Sequence, residues 1–495
     1  MSNDLETIRR IKAWHDGKPT PRGAVVNTHV ADDDDVLVVS FLRMGGESRP
    51  WGVAIGTLTT GPTVFTVPEA RNRQLVADMM VEVAPQLLAH FRHPAHDVDG
   101  PGGYQVQSLR QIWLPGPTHL EMLHFLAAAY ARTTWNHPHV ATLNALGNLC
   151  NALFIEAQRP GQQMVMSAVD ALRSAYVFPT SSIRQAHLGH LLGWLRGGRS
   201  RDERWATAHD AERDSVSTVL DPEVERRGLA PLVAQWGSER SDQVAQSIRG
   251  ALEPELLRRW NLTAAAVDEL RRDRRSANAG VADLVAHSAK SFFHAWGDRA
   301  LNESAGVQPF WPNVFTDHNA RSASGSFHAR VADDEISRLA LMHGDRELQR
   351  QELARGHGVV ASVRSNSMDE WLVAYSYPDL TTIEPGRTLA IAGRPTMTLT
   401  VTDVDLDQRT MTLTPGWKRP KNLPGPHTWA PDNIKWRGSE LVLLFDQPAK
   451  IMRNRITMAR QSVDNDITLF LKSPPARHAA FDDDGAVFES AEADA

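Results

Sequence analysis

His187 and His190 stand three residues apart in a leucine-rich stretch of helical spacing, His209-Asp210 follows about one helix later, and Asp268 lies further downstream. Histidine and aspartate spread over helices in this way are the ligand types with which an all-helical phosphodiesterase or nuclease holds divalent ions that activate water. The chain has 20 histidines, however, and His15-Asp16 and His96-Asp97 repeat the pair. The weightier reading of His187 and His190 is therefore partly buried helix residues. His90, His93 and His96 form a weaker trio. Cys150 sits in an apolar helical run, where a core thiol is expected rather than a nucleophile.

A stronger signal is electrostatic. From Arg409 to Arg477 there are 12 Lys+Arg against 5 Asp+Glu, and five of the eight lysines of the chain fall there. Within it, Trp417, Lys418, Arg419 and Lys421 directly follow a strand-like segment, and Lys435, Trp436 and Arg437 repeat the mixture. Basic side chains neutralise phosphates and an exposed indole stacks on a base, so these seven residues are the candidate nucleic-acid contacts. The plainer alternative is a solvated loop whose tryptophans turn inward.

Other machinery is missing. A phosphate-binding loop needs glycines that wrap the phosphates, then a lysine and a hydroxyl. The only Gly-Lys pair, Gly17-Lys18, runs into Pro19 with no glycine five residues earlier. Asp333-Asp334-Glu335 and Asp369-Glu370 lack the preceding apolar strand of a metal-binding carboxylate motif. Pro378-Asp379 with Glu384 has the acids of a restriction-type nuclease without its lysine, and Pro385-Gly386 reads as a turn. The strand Val38 to Leu42 holds no acid for an RNase H-like site, and no Gly-x-Ser-x-Gly elbow occurs. No catalytic residue and no cofactor is assigned.

The elements that must position these groups fall into three parts. In the first, residues 1–160, two apolar runs, Val36 to Leu42 and Trp51 to Gly56, flank Gly45-Gly46 and predict a β-hairpin. Val64 to Val67 and Gln111 to Leu114 add strands, Asn72 to Phe91 has helical spacing, and 93–103 reads as a loop. Residues 161–330 are expected to be helical. Thr180-Ser181-Ser182 offers a cap for a helix through Leu188 and Leu195, followed by helices over Glu203 to Val219, Asp242 to Trp260 and Thr263 to Arg275. In 331–478 the period changes to two after Val359. Trp371–Tyr375, Thr388–Ile391, Met397–Val401 and Thr410–Leu413 predict a small antiparallel barrel. Residues 479–495 hold six acids and no base and are expected to be a disordered tail. The fold class is thus α+β: an N-terminal α/β unit, a long helical middle and a C-terminal barrel.

Composition narrows the setting. A net charge of −6 argues against a protein that coats nucleic acid with its whole surface. Between residues 191 and 275, 15 arginines balance 15 acids, which reads as solvated helix faces. One cysteine excludes an internal disulfide framework and suits a reducing cytoplasm. No apolar run approaches the roughly 18–20 residues that span a bilayer, and the first residues lack a secretory signature. The arginine-rich basic side, with abundant Ala, Gly, Pro and Asp, suggests a GC-rich bacterial genome.

Three stretches carry a resemblance. Phe41 to Gly52 (FLRMGGESRPWG), Val67 to Arg71 (VPEAR), and Phe178 to Ser182 running into His187 to Leu192 resemble the N-terminal accessory region of large bacterial Upf-like superfamily 1 helicases. The segment from about 371 to 415 is similar to the β-barrel that precedes or interrupts their first motor domain. The motor motifs themselves are absent. The resemblance implies an accessory subunit that binds DNA or RNA, or scaffolds, beside a helicase, ATPase or nuclease partner in DNA repair or phage defence. The rival expectation is the metal-dependent phosphodiesterase on His187, His190, His209, Asp210 and Asp268. Because no residue set cradles a triphosphate, the purified chain is expected not to turn over ATP; sustained hydrolysis that co-elutes with the chain would contradict this.

Overall fold

In a computed structural model of the chain the described residues are 2–45, 47–92, 96–98, 104–106, 109–278, 280–292, 333–334, 337–354, 356–367, 369–376, 383–416 and 440–444. They belong to two compact units, one of residues up to 275 with 285–292, the other of 276–284 with those from 333 to 444. The fold is α+β.

The first unit begins with helix α1 (Ser2–His15) and the short strand β1 (Thr20–Pro21). The hairpin follows as β2 (Val36–Arg43) and β3 (Pro50–Thr57), then β4 (Thr63–Thr66) and helix α2 (Arg73–Arg92). Part of the expected loop over 93–103 pairs instead: β5 (His96–Val98) and β6 (Tyr104–Val106) are antiparallel across the glycine-rich stretch 100–103. Strand β7 (Gln111–Leu114), helices α3 (Pro117–Tyr130) and α4 (Val140–Ala157), and β8 (Val165–Ser167) complete a five-stranded sheet of order β4-β3-β2-β7-β8. The first three strands are antiparallel, whereas β7 runs parallel to both β2 and β8. The expected boundary at 160 therefore falls between two neighbouring strands of one sheet.

Every residue of Val36–Leu42 is buried, odd and even alike, so both faces of β2 are covered. An uninterrupted apolar run is what such a strand requires. The cover includes the helix α10 (Asp242–Arg272), which packs on β2, β3 and β4. Gln111, fully buried, uses its whole amide. Its Oε1 accepts from Ala31 N at 2.9 Å and Trp113 Nε1 at 2.9 Å, and its Nε2 donates to His29 O at 3.0 Å and Gln163 O at 2.6 Å. One side chain thereby ties 29–31 and 163 to the central strand.

The helical remainder comprises α5 (Ala168–Ala175), strand β9 (Tyr176–Val177) paired with β1, α6 (Leu188–Arg196), α7 (Arg201–Ala211), α8 (Pro222–Val224) leading into one π-helical turn, α9 (Ala230–Glu239) and α10 (Asp242–Arg272). Two expectations change here. The helix expected over Glu203–Val219 stops at Ala211, and the two expected over 242–275 are one helix of 31 residues that passes through Pro254. Helix α11 (Gly280–Phe292) follows.

The second unit contains α12 (Arg346–Ala354) and six strands: β10 (Gly358–Asn366), β11 (Trp371–Ser376), β12 (Thr388–Ile391), β13 (Arg394–Asp405), β14 (Thr410–Pro415) and β15 (Glu440–Leu444). They form a closed barrel of order β10-β11-β14-β13-β12-β15, all pairs antiparallel. Alternate residues such as Val363, Trp371, Val373, Leu399, Met411 and Leu443 point inward and are at most 2% exposed. Among the described residues the barrel interior is lined by buried apolar side chains, as in other small barrels. Among the described residues no helix is long and apolar enough to cross a membrane.

Two histidines of the first unit are buried in their neutral form. His119 Nδ1 accepts the Phe41 N–H at 3.1 Å, which leaves Nε2 to donate to Val216 O at 3.1 Å. Burial pulls its pKa down to about 3, and burial with the nearby Arg110 pulls that of His90 down to about 4. Below about 6.5 the unfolded chain binds protons that these sites refuse, so stability is full above that pH and falls as the pH drops toward 4. Urea denaturation midpoints should decline from pH 6.5 to 4.5. His90→Gln, whose amide still donates to Gln111 O, should decline less steeply; identical slopes would contradict this.

Candidate functional site

Helices α6, α7 and α10 gather the histidines and acids singled out above. His187 caps α6: its Nδ1 accepts from His190 N at 3.1 Å and its Nε2 donates to Asp214 O at 2.8 Å. The cap is therefore this imidazole and not Thr180-Ser181-Ser182. Capping by histidine carries no sequence signature, because the usual cap residues are Ser, Thr, Asp and Asn. His190 is fully buried, its Nδ1 3.1 Å from both Ala208 O and Glu212 Oε1 and its Nε2 3.2 Å from Thr180 Oγ1. Burial lowers its pKa against the opposing pull of Glu212. His209 stacks on Trp205 at 5.8 Å and faces Glu212 Oε2 at 3.2 Å. Asp210 pairs with Arg213 at 3.1 Å, and Asp268 lies 3.0 Å from Arg272 and 3.7 Å from Arg196.

The five residues of the metal reading are thus near one another along the chain but turned to different partners. Among the described residues no group of three or more His, Cys, Asp or Glu could hold a metal ion. His90 is spent on Gln111 O at 3.1 Å, His93 lies outside the described residues, and Cys150 is a core thiol pushed up to about 12 by burial. Trp417, Lys418, Arg419, Lys421, Lys435, Trp436 and Arg437 also lie outside the described residues, as does the acidic tail. What is described is their place in the chain: the connection between β14, which ends at Pro415, and β15, which begins at Glu440.

Sequence reasoning missed the segment 212–221. Its carbonyls are taken one after another by side chains: Ser215 O by the half-buried Arg258 through Nη2 (2.7 Å), Val216 O by the buried His119, and Ser217 O and Val219 O by the buried Arg259 through Nε (2.7 Å) and Nη2 (3.1 Å). Thr218 Oγ1 accepts from Arg43 Nε at 3.0 Å. Arg259 is fully buried and completes its set on Glu255, at 2.8 Å to O and 2.7 Å to Oε2. Burial would push the Glu255 carboxyl up, but the bonds from Arg259 and Arg258 hold it below the usual carboxylate range.

This segment borders a cavity of 320 Å³ whose bed is Leu192, Ala211, Leu262 and Ala265 and whose polar edge includes Arg258 and Asp214. Gly193 lets α6 and α7 close one side of it. A Cβ there would lie 2.5 Å from Ala208 Cα, so any larger residue would drive the helices apart. The first two resembling stretches also meet. Arg71 donates to Glu47 Oε1 and Arg49 to Glu47 Oε2 at 3.1 Å, locking the hairpin tip to the chain after β4.

Comparison with protein-family models, curated proteins and solved structures found no match to this chain.

With their ring nitrogens already bonded, His187 and His190 should bind no divalent ion. Adding Mn²⁺ or Zn²⁺ to chelator-treated protein should leave Tm unchanged. A metal-dependent rise in Tm that disappears in both His187→Ala and His190→Ala would reinstate the metal reading.

Proposed function

We propose that the chain is a non-catalytic nucleic-acid-binding subunit that acts beside a helicase or ATPase partner, in keeping with the resemblance of its N-terminal stretches. The observation that supports this best is where the basic segment falls. Residues 416–439 carry Lys418, Arg419, Lys421, Lys435 and Arg437 against the single acid Asp432, and they connect two strands of the closed barrel. Strand β14 is held by β11 and β13, and β15 by β10 and β12, so both ends of this connection are anchored in hydrogen-bonded sheet. Because the barrel interior is filled with apolar side chains, a ligand of the barrel must use its outer face and connections. Basic side chains neutralise phosphates whatever the base sequence. The two tryptophans supply stacking surface for unpaired bases.

The reading has a measurable signature. Affinity for duplex DNA should fall with salt at up to about 0.9 log units per log unit for each phosphate neutralised. Neutralising the five basic residues together should flatten that slope and weaken binding to all sequences alike, because phosphate contacts carry little base information. A folded five-fold variant with an unaltered slope would remove this segment from the reading.

A further inference from the structure

Helix α1 carries an apolar ridge on its outer side. Ile8 and Ile11 are 62% and 63% exposed, Trp14 is 42% exposed, and each stands three residues from the next. Of the eight large apolar side chains exposed among the described residues, these three share one helix; scattered singly they would need no explanation. Trp14 is held in place. Its ring meets those of Trp194 and Trp205 edge-on, with centroids 6.1 Å apart in both pairs, and the Arg201 guanidinium lies 5.1 Å from its centroid. A Cβ at Gly17 would stand 3.0 Å from Arg201 Cβ, so the end of α1 lies against the start of α7. Cations therefore flank the ridge: Lys12, one turn from Ile8, Lys18 beside Gly17, and Arg199 and Arg201 at the start of α7. Lys12, Lys18 and Arg199 are exposed and make no ion pair with any described residue. Most acids nearby are already taken. Glu6 accepts from Arg22 at 2.7 Å with Arg10 3.5 Å away, Asp202 pairs with Arg201 at 3.1 Å, and Asp16 lies 3.9 Å from His15.

We propose that this ridge is the docking surface for residues 479–495 of the same chain. An occupant must bring apolar side chains to Ile8, Ile11 and Trp14 and negative charge to the cations beside them. Residues 479–495 carry six acids and no base, and Phe481, Val487 and Phe488 stand among those acids. The acidic run Asp32–Asp35 is committed elsewhere, since Asp33 pairs with Arg271 and Asp35 with Arg110. Nucleic acid would answer the cations but leave both isoleucines unmatched. An anionic bilayer would answer both, but its hold scales with the apolar area inserted, and three side chains offer little. Burial of the phenylalanines against the ridge drives the docking, and the charges set its orientation. The contact is independent of the connection between β14 and β15 and of the nucleic-acid reading.

The test is zero-length carbodiimide coupling of lysines to carboxylates in the full chain, with linked peptides from the monomer identified by mass spectrometry. Lys12 and Lys18 should couple to acids within 482–494. Ile8→Ser with Ile11→Ser, both at exposed positions, should lower the yield of those links about tenfold, the worth of one buried apolar side chain. Phe481→Ser with Phe488→Ser should lower it likewise, although all six acids remain. The absence of links from Lys12 or Lys18 to 482–494, or links that neither double variant alters, would overturn the proposal. So would coupling of 482–494 only to Lys418 and the lysines after it, or links found only in a dimer. Binding of the chain to phosphatidylserine vesicles that is lost in the Ile8→Ser, Ile11→Ser variant, without links to α1, would assign the ridge to a membrane and overturn it too.

Discussion

A single buried cation organises much of the first unit. Arg259 has no exposure, yet four of its bonds are in place: two to Glu255 on its own helix and one each to the carbonyls of Ser217 and Val219. Burial lowers its pKa to about 10, which still leaves it charged at neutral pH. Breaking such a buried pair by removing one partner typically costs about 3–5 kcal/mol, since the remaining groups lose their partners. The neighbouring bonds depend on the same geometry. With 215–219 fixed, Val216 O reaches His119, Thr218 reaches Arg43 at the end of β2, and Asp214 O reaches the histidine that starts α6. On the same helix, Trp260 Nε1 donates to Val38 O and Leu256 O accepts from Ser40 Oγ, both at 3.1 Å. Helix α10 is thus joined to the central strand by polar contacts as well as apolar ones.

That arrangement explains which parts of the fold were legible in the sequence. Period and punctuation reveal burial within a segment. The hairpin across Gly45-Gly46, the helix after Asn72 and four of the six barrel strands were accordingly readable. Pairing between distant segments leaves no local trace. Strand β8 is three residues long and joins the sheet only through β7, and β15 closes the barrel across the basic connection. Residues 212–219 read as helix in sequence because their mixture of charges and small apolar residues matches the helices on either side. Their irregular backbone exists because Arg258, Arg259, Arg43 and two histidines receive its carbonyls, a tertiary fact.

The candidate sites divide in the same way. His187, His190 and Asp268 looked like a metal set because the residue types were right. Backbone carbonyls, a threonine hydroxyl and arginines have taken them instead. The basic connection of the barrel was legible as charge and indole content. Its attachment to two strands of a closed barrel was not.

The claim that nucleic acid is engaged by the connection between β14 and β15 is tested most directly by ultraviolet cross-linking of single-stranded DNA to the full chain, with the cross-linked peptides identified by mass spectrometry. Cross-links concentrated in residues 416–439, above all at Trp417 and Trp436, are the expected result. Cross-links confined to residues 1–275, with none in that connection, would contradict it.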